Sequence, residues 1–250
     1  MRASLMTRAF VALGALVVTL GLTQAQPVQL AFWNFNDNDA IVDGGVNGGT
    51  LSLTGGVINP TGTFRGSPLD PNDTGHPNPP NYGYQTTTYP AQGQNNLTAG
   101  IVFNTPTTGY INVTVQFDVR WSNTASKYLR FQYTTDGTNW INGPQLVAGG
   151  GDQWYSQGPG AGSRFLVDFT GNTAVDNNPN FAFRILAEFA PGDNNYHGAR
   201  DGNAAGYRTT GTLRYDLVEV RGTVVPEPAS MLALGAGLAG LVGLRRRTKK

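Results

Sequence analysis

The 250-residue chain has no cysteine. That excludes disulfide staples, thiolate catalysis and cysteine-ligated metal, so burial has to hold the fold together. Charge is scarce as well: Asp, Glu, Lys and Arg make up 13% of the residues. Between residues 26 and 225 there is a single lysine, Lys127, and the only glutamates are Glu188 and Glu219. The formal net charge of +1 conceals an acidic body. Seven of the 17 basic residues (Arg2, Arg8, Arg245, Arg246, Arg247, Lys249 and Lys250) lie at the two ends, against one acidic residue, Glu227. Residues 26–225 therefore keep 10 basic and 15 acidic side chains, a charge of about −5. With no basic cluster, nucleic-acid binding is excluded as an expectation. There is no Gly-x-Ser-x-Gly, and the two histidines, His76 and His197, stand apart, so no nucleophile–base pair is indicated. No stretch between Pro27 and Val225 holds a helical period over a useful length.

What is abundant is glycine, 34 residues, together with turn-forming Asn and Thr. Between the turns, apolar and polar residues alternate. In Tyr110 to Trp121 the residues Ile111, Val113, Val115, Phe117, Val119 and Trp121 alternate with Asn112, Thr114, Gln116, Asp118 and Arg120. A period of two over this length predicts a strand with one buried and one wet face. Phe165 to Phe169 and Phe181 to Phe189 repeat the pattern. Tyr128 to Thr135 and Trp140 to Val147 flank Asp136-Gly137, a hairpin signal. Leu213 to Val220 changes phase in its middle, which predicts a bulge near Asp216-Leu217. Val28 to Phe35 and Thr50 to Ile58 supply two early strands. The fold class expected is all-β: an antiparallel two-sheet sandwich of jelly-roll type spanning 26–222, with a signal peptide before it and a single apolar helix after it. Asn59 to Gly100 holds seven of the 15 prolines and reads as one long loop.

Candidate chemistry is thin. A glycosidase needs two carboxylates converging on a groove, yet Glu188 and Glu219 sit in predicted strands and the aspartates fall mostly in turn sequences. No catalytic residue is assigned and the protein is expected not to be an enzyme. The rival from another class is a secreted hydrolase acting on polysaccharide. No metal ligand is assigned and no cofactor is expected. The oxygen-rich runs Asp193, Asn194, Asn195, His197, Asp201 and Asn34, Asn36, Asp37, Asn38, Asp39 leave room for one structural calcium ion, although ordinary Asx turns account for both. Trp140, Trp154 and Tyr155 lie near strand ends or in a Gly-rich loop, where flat rings are able to stack on sugar faces; packing within the protein is the other use of the same rings. Trp33 and Trp121 are expected in the core.

The two ends read as addresses. Arg2 and Arg8 precede an apolar run from Ala9 to Leu22, and Thr23-Gln24-Ala25 offers a small-residue cleavage site, so 1–25 is expected to be a signal peptide removed by signal peptidase. Residues 223–250 combine Pro226-Glu227-Pro228, 16 apolar or small residues from Ala229 to Leu244, and Arg245-Arg246-Arg247. At about 1.5 Å per residue this helix covers about 24 Å, short of a hydrocarbon core of about 30 Å, which suits transient inner-membrane insertion. The arginines stay on the cytoplasmic side and the domain lies outside. This three-part tail resembles the PEP-CTERM sorting signal. The resemblance implies a Gram-negative bacterium, an exosortase that removes the tail, and delivery to the cell surface or exopolysaccharide matrix. Phe117-Asp118-Val119-Arg120-Trp121, Thr135-Asp136-Gly137-Thr138-Asn139-Trp140 and Asp176-Asn177-Asn178-Pro179-Asn180 are similar to segments of secreted jelly-roll domains with a carbohydrate-binding-module plan. Those domains often close on Asp-Asn-Val, where this chain has Asp216-Leu217-Val218. Together the resemblances imply a non-catalytic structural or polysaccharide-associating protein.

Overall fold

Eleven strands form where the alternation is strongest. They are β1 (Val28–Trp33), β2 (Thr50–Thr54), β3 (Tyr84–Thr86), β4 (Gly100–Asn104), β5 (Tyr110–Trp121) and β6 (Tyr128–Thr134), then β7 (Ile141–Val147), β8 (Gln153–Trp154), β9 (Phe165–Asp168), β10 (Ala182–Glu188) and β11 (Leu213–Val224). The computed structural model describes residues 25–71, 80–157 and 162–225, with Gly235 and Gly237. The signal peptide, His76, the Pro226-Glu227-Pro228 and Arg245–Arg247 motifs and the apolar tail helix as a unit lie outside the described residues. Among the described residues no helix is long and apolar enough to cross a membrane.

Two antiparallel sheets result. The first runs β1-β11-β5-β8, with β3 also paired to β11 and β9 to β5; the second runs β2-β4-β10-β6-β7. Their inner faces meet through aromatic rings. Trp33 of the first sheet lies edge-on to Phe103 of the second at 5.0 Å, and Phe117 stacks on Phe131 at 6.2 Å. Inside the second sheet Phe183 bridges Phe103 at 4.9 Å and Phe131 at 5.4 Å. Trp33 and Trp121 are buried as expected. This is the all-β, two-sheet antiparallel architecture that the alternation predicts.

Strand ends differ from expectation for a backbone reason. The strand predicted over Thr50 to Ile58 stops at Thr54 because Gly55 and Gly56 adopt φ of 69° and 80°, outside the extended region. The one predicted over Val28 to Phe35 stops at Trp33, and Phe35 has φ of 54°. The bulge forms where the phase changes: Asp216 pairs with Asp118, but the next pair is Glu219 with Gln116, with Leu217 at φ of 50° between them. That conformation is one Asn takes far more readily than Leu, which gives a backbone reason for the Asn in the Asp-Asn-Val pattern.

The expected wet face of β5 is closed over at Asp118, and this corrects the reading of residues 59–100 as a plain loop. Residues 64–67 and 81–84 fold back on each other over the first sheet. Gly66 donates to the Asn81 carbonyl at 2.8 Å, Gly83 to the Phe64 carbonyl at 2.9 Å, and Arg214 Nη1 to the Arg65 carbonyl at 2.6 Å. Beneath this cover Asp118 and Asp216 are 0% exposed. A Cβ at Gly66 would stand 1.9 Å from Asn81 Oδ1 and 2.5 Å from Asp216 Oδ2, so only glycine lets the cover seat. Gly66→Ala is expected to lower stability by about 1–3 kcal/mol, the usual range for overpacking, as read by urea denaturation. Unchanged stability would mean that the cover does not seat as described.

Candidate functional site

The outer face of the second sheet carries a polar row that crosses all five strands. Strand pairing aligns one outward residue from each of its five strands: Ser52 opposite Val102, Val102 opposite Arg184, Arg184 opposite Gln132, and Gln132 opposite Asn142. Side chains are joined along that row. Arg184 Nε donates to Gln132 Oε1 at 2.7 Å, and Gln132 Nε2 donates to Asn142 Oδ1 at 2.7 Å. One pleat along, Arg130 donates from Nε and Nη2 to Glu188 Oε1, at 3.1 and 2.7 Å, and Gln145 Nε2 donates to Glu188 Oε2 at 2.8 Å. Both oxygens of Glu188 are thus engaged on its own sheet.

Trp140 joins this face from the hairpin between β6 and β7. The turn before it is fastened by Asp136, whose carboxylate accepts the amides of Thr138 and Asn139 and the side-chain amide of Asn139 at 2.7–2.8 Å. These hydrogen bonds hold the Asp136 carboxyl well below the usual carboxylate range. Trp140 is two residues from Asn142, so it falls on the same face. Its half-buried ring lies 4.0 Å from the Arg184 guanidinium carbon, a cation–π stack. Burial lowers the Arg184 pKa, and no carboxylate pairs with it among the described residues.

Trp154 and Tyr155 are not brought to this site. Trp154 pairs in register with Arg120 on the first sheet and is 5% exposed, so no ring face is open to a ligand in this conformation. Tyr155 stacks on Phe165 at 3.6 Å between centroids. Of the three aromatic candidates, Trp140 alone combines partial exposure with a polar sheet face. Arg184 escaped notice in the sequence because it reads there only as an outward residue of an alternating strand. Its significance comes from the neighbouring strands.

The two oxygen-rich runs form internal hydrogen bonds. Asp193 receives His197 Nε2 at 2.8 Å and Asn195 Nδ2 at 3.0 Å, while His197 Nδ1 faces the Gly202 carbonyl at 3.0 Å. In the other run the Asn36 amide donates to Asn34 Oδ1 and the Ile41 amide to Asp39 Oδ1, both Asx turns. Among the described residues no three Asp, Glu or His side chains are grouped to hold a metal ion. The two closely apposed aspartates, Asp118 and Asp216, are sealed under the cover made by residues 64–67 and 81–84. The Ser67 hydroxyl donates to Asp118 Oδ2, and the Ser67 amide donates to Asp216 Oδ2 at 2.6 Å. Desolvation by burial raises the pKa of both.

The two ends of the described sandwich lie side by side. Val28 pairs with Gly222, and Ala25, Gln26 and Pro27 share a cleft of about 310 Å³ with Thr223. The Val225 amide donates to the Gly109 carbonyl at 2.9 Å, and the tail begins from there. Residues 224–247 match the PEP-CTERM protein-sorting motif. This motif marks an exported chain bound for the cell surface or beyond, and implies processing by exosortase. No curated protein matches the chain. Among solved structures, the chain is similar to the N-terminal CBM22-1-CBM22-2 tandem domain of Xyn10C from Paenibacillus barcinonensis. That likeness has 13% identity and a TM-score of 0.43, covering 80% of this chain and 51% of that one. The chain thus spans about half the length of the tandem. It is also similar to a cleaved adhesin domain of Lys-gingipain from Porphyromonas gingivalis, at 14% identity and a TM-score of 0.34, over 77% of this chain and 98% of that one.

Proposed function

We propose that the protein is a non-catalytic component of the cell surface or extracellular matrix of a Gram-negative bacterium, and that it associates with polysaccharide through the outer face of the second sheet. Exosortase removes the tail after a transient stay in the inner membrane, which leaves the sandwich as the working part. The observation that carries this reading is the Trp140–Arg184 stack within the Ser52–Arg184–Gln132–Asn142 row. Amide and hydroxyl groups at fixed spacing match the alternating donors and acceptors of sugar hydroxyls, and an indole offers an apolar surface to a pyranose ring. The carboxylates that are apposed sit under the cover and not in a groove, which favours binding over hydrolysis.

Retention on exopolysaccharide is the test. Trp140→Ala is expected to weaken binding about tenfold or more, the scale of a buried aromatic anchor, with little change in melting temperature. Full retention by Trp140→Ala, with folding intact, would reject this face as the binding surface.

A further inference from the structure

We infer that Arg184 and Trp140 form a subsite for a uronate residue, so that the polysaccharide held by this face is an acidic one. The inference rests on the reading of the outer face given above and adds the charge of its ligand. Arg184 is an anomaly on that face. Its neighbours in the row, Val102 and Gln132, are neutral. The carboxylate two pleats along the same strand, Glu188, is held by Arg130 and Gln145. Gln132 and the indole replace part of the hydration that burial removes from this guanidinium, and the remaining N–H donors are those an anion satisfies best. On the first sheet Arg120 lies 3.3 Å from Asp152, and Arg164, just before β9, lies 3.6 Å from Glu219. Arg214 has no carboxylate partner among the described residues, but its Nε, Nη1 and Nη2 are all bonded, to Gln85 Oε1 and the Arg65 carbonyl. Of Arg184, only Nε is engaged among the described residues.

The geometry also selects the anion. Nε is fixed by Gln132 and the plane is fixed by the indole, which leaves the Nη edge of the fork as the available donor set. A planar guanidinium edge matches a carboxylate better than a point cation does. A uronate presents a carboxylate and a pyranose ring together, one for the fork and one for the indole. The hydroxyl and amide of Ser52 and Asn142 extend the row for flanking sugars. The body's overall charge of about −5 repels acidic polymers at long range, so the attraction is local to this subsite and falls with salt.

The experiment uses the full chain in detergent, titrated calorimetrically with polygalacturonate and with its methyl ester, which keeps the sugar ring and removes the charge. A mannuronate–guluronate polymer serves as a second acidic probe. The expected result is binding of at least one acidic polymer about tenfold or more tighter than the ester. Arg184→Gln abolishes that preference, bringing acid and ester to one affinity. Arg184→Lys recovers part of it, and melting temperatures stay within a few degrees. Equal affinity for acid and ester, with both weakened by Trp140→Ala, would overturn the uronate subsite and leave the polysaccharide-associating reading standing. No binding to any acidic or neutral polymer would overturn both. A preference for acid that survives Arg184→Gln would place the charge readout elsewhere and reject this subsite.

Discussion

Phe183→Ala is expected to destabilise the sandwich by about 3–5 kcal/mol, the range for removing a fully buried phenylalanine. Phe183 is the second residue of β10, the central strand of the second sheet, and is 0% exposed. Its ring contacts Phe103 on one neighbouring strand, at 4.9 Å, and Phe131 on the other, at 5.4 Å, in near-parallel stacks. Phe131 carries the contact on to Phe117 of the opposite sheet. Truncation therefore opens a void between two rings held on separate strands, where collapse would require strands to move. Without disulfides nothing covalent limits the damage. Chemical denaturation provides the measurement, with Leu166→Ala as the control. Leu166 is 58% exposed, and its loss is expected to stay within about 0.5 kcal/mol. A Phe183→Ala loss no larger than the control would mean that the aromatic ladder does not hold the sheets together. Phe131→Ala is expected to be non-additive with it, because the two rings share one cavity.

That ladder was readable from alternation alone. Phe117, Phe131 and Phe183 are each the inward residue of a strand that the period of two predicts, and β5 begins and ends where the pattern does. The bulge at Asp216-Leu217 was readable for the same reason, since a phase change in a strand needs extra residues to absorb it. What escaped were pieces too short to show a period: β3 with three residues, β8 with two, and β4, whose Ile101-Val102-Phe103 run begins where a proline-rich stretch ends. The larger omission was the cover. Alternation reports that Asp118 points away from the core, but not that Ser67, distant in sequence, closes over it. The candidate site divides the same way. Trp140 is conspicuous as an aromatic after an Asp-Gly turn. Arg184 becomes meaningful only when register sets it beside Gln132 and beneath the indole ring, and Trp154 loses its candidacy only when packing shows its ring to be buried.

The buried aspartates are expected to make stability fall as pH rises from mildly acidic to neutral. Asp118 and Asp216 face each other across β5 and β11, both 0% exposed. Burial raises both pKa values above the ordinary 3.8, and Asp216 is raised further by the nearby charges of Asp70 and Asp118. Opposing terms are present, the Ser67 hydroxyl on Asp118 and the amides of Ser67 and Leu217 on Asp216, but desolvation is the larger effect in each case. Below about pH 4 the folded and unfolded chains both carry these protons, and the contribution of the pair to stability is fully present. Between 3.8 and the raised folded values the folded state binds more protons than the unfolded one, so that stability is lost as pH rises through the folded values, by up to about 1.4 kcal/mol per pH unit for each proton. The exposed aspartates Asp168 and Asp193 have lowered values and act only at the acid end, where their contribution disappears as pH falls below 3.8. The two limbs of the curve thus belong to different residues. Asp118→Asn separates them. Its Oδ1 still accepts the Val119 amide, but its new amide faces the Ser67 hydroxyl, whose proton loses its acceptor, so a pH-independent loss accompanies the change in the shape of the curve. The variant is expected to reduce the decline above pH 3.8, leaving the part that belongs to Asp216, and to leave the acid limb unchanged. Asp216→Asn differs, because its two oxygens accept two backbone amides, at 2.6 and 2.7 Å. An amide nitrogen in either place confronts a donor, and about 1–3 kcal/mol is lost at every pH. Melting temperature against pH, measured for all three proteins, decides. A wild-type curve that rises from about pH 5 to 8, with Asp118→Asn tracing the same shape, would show that the pair is ionised without cost and that the cover at Ser67 does not exclude water from it.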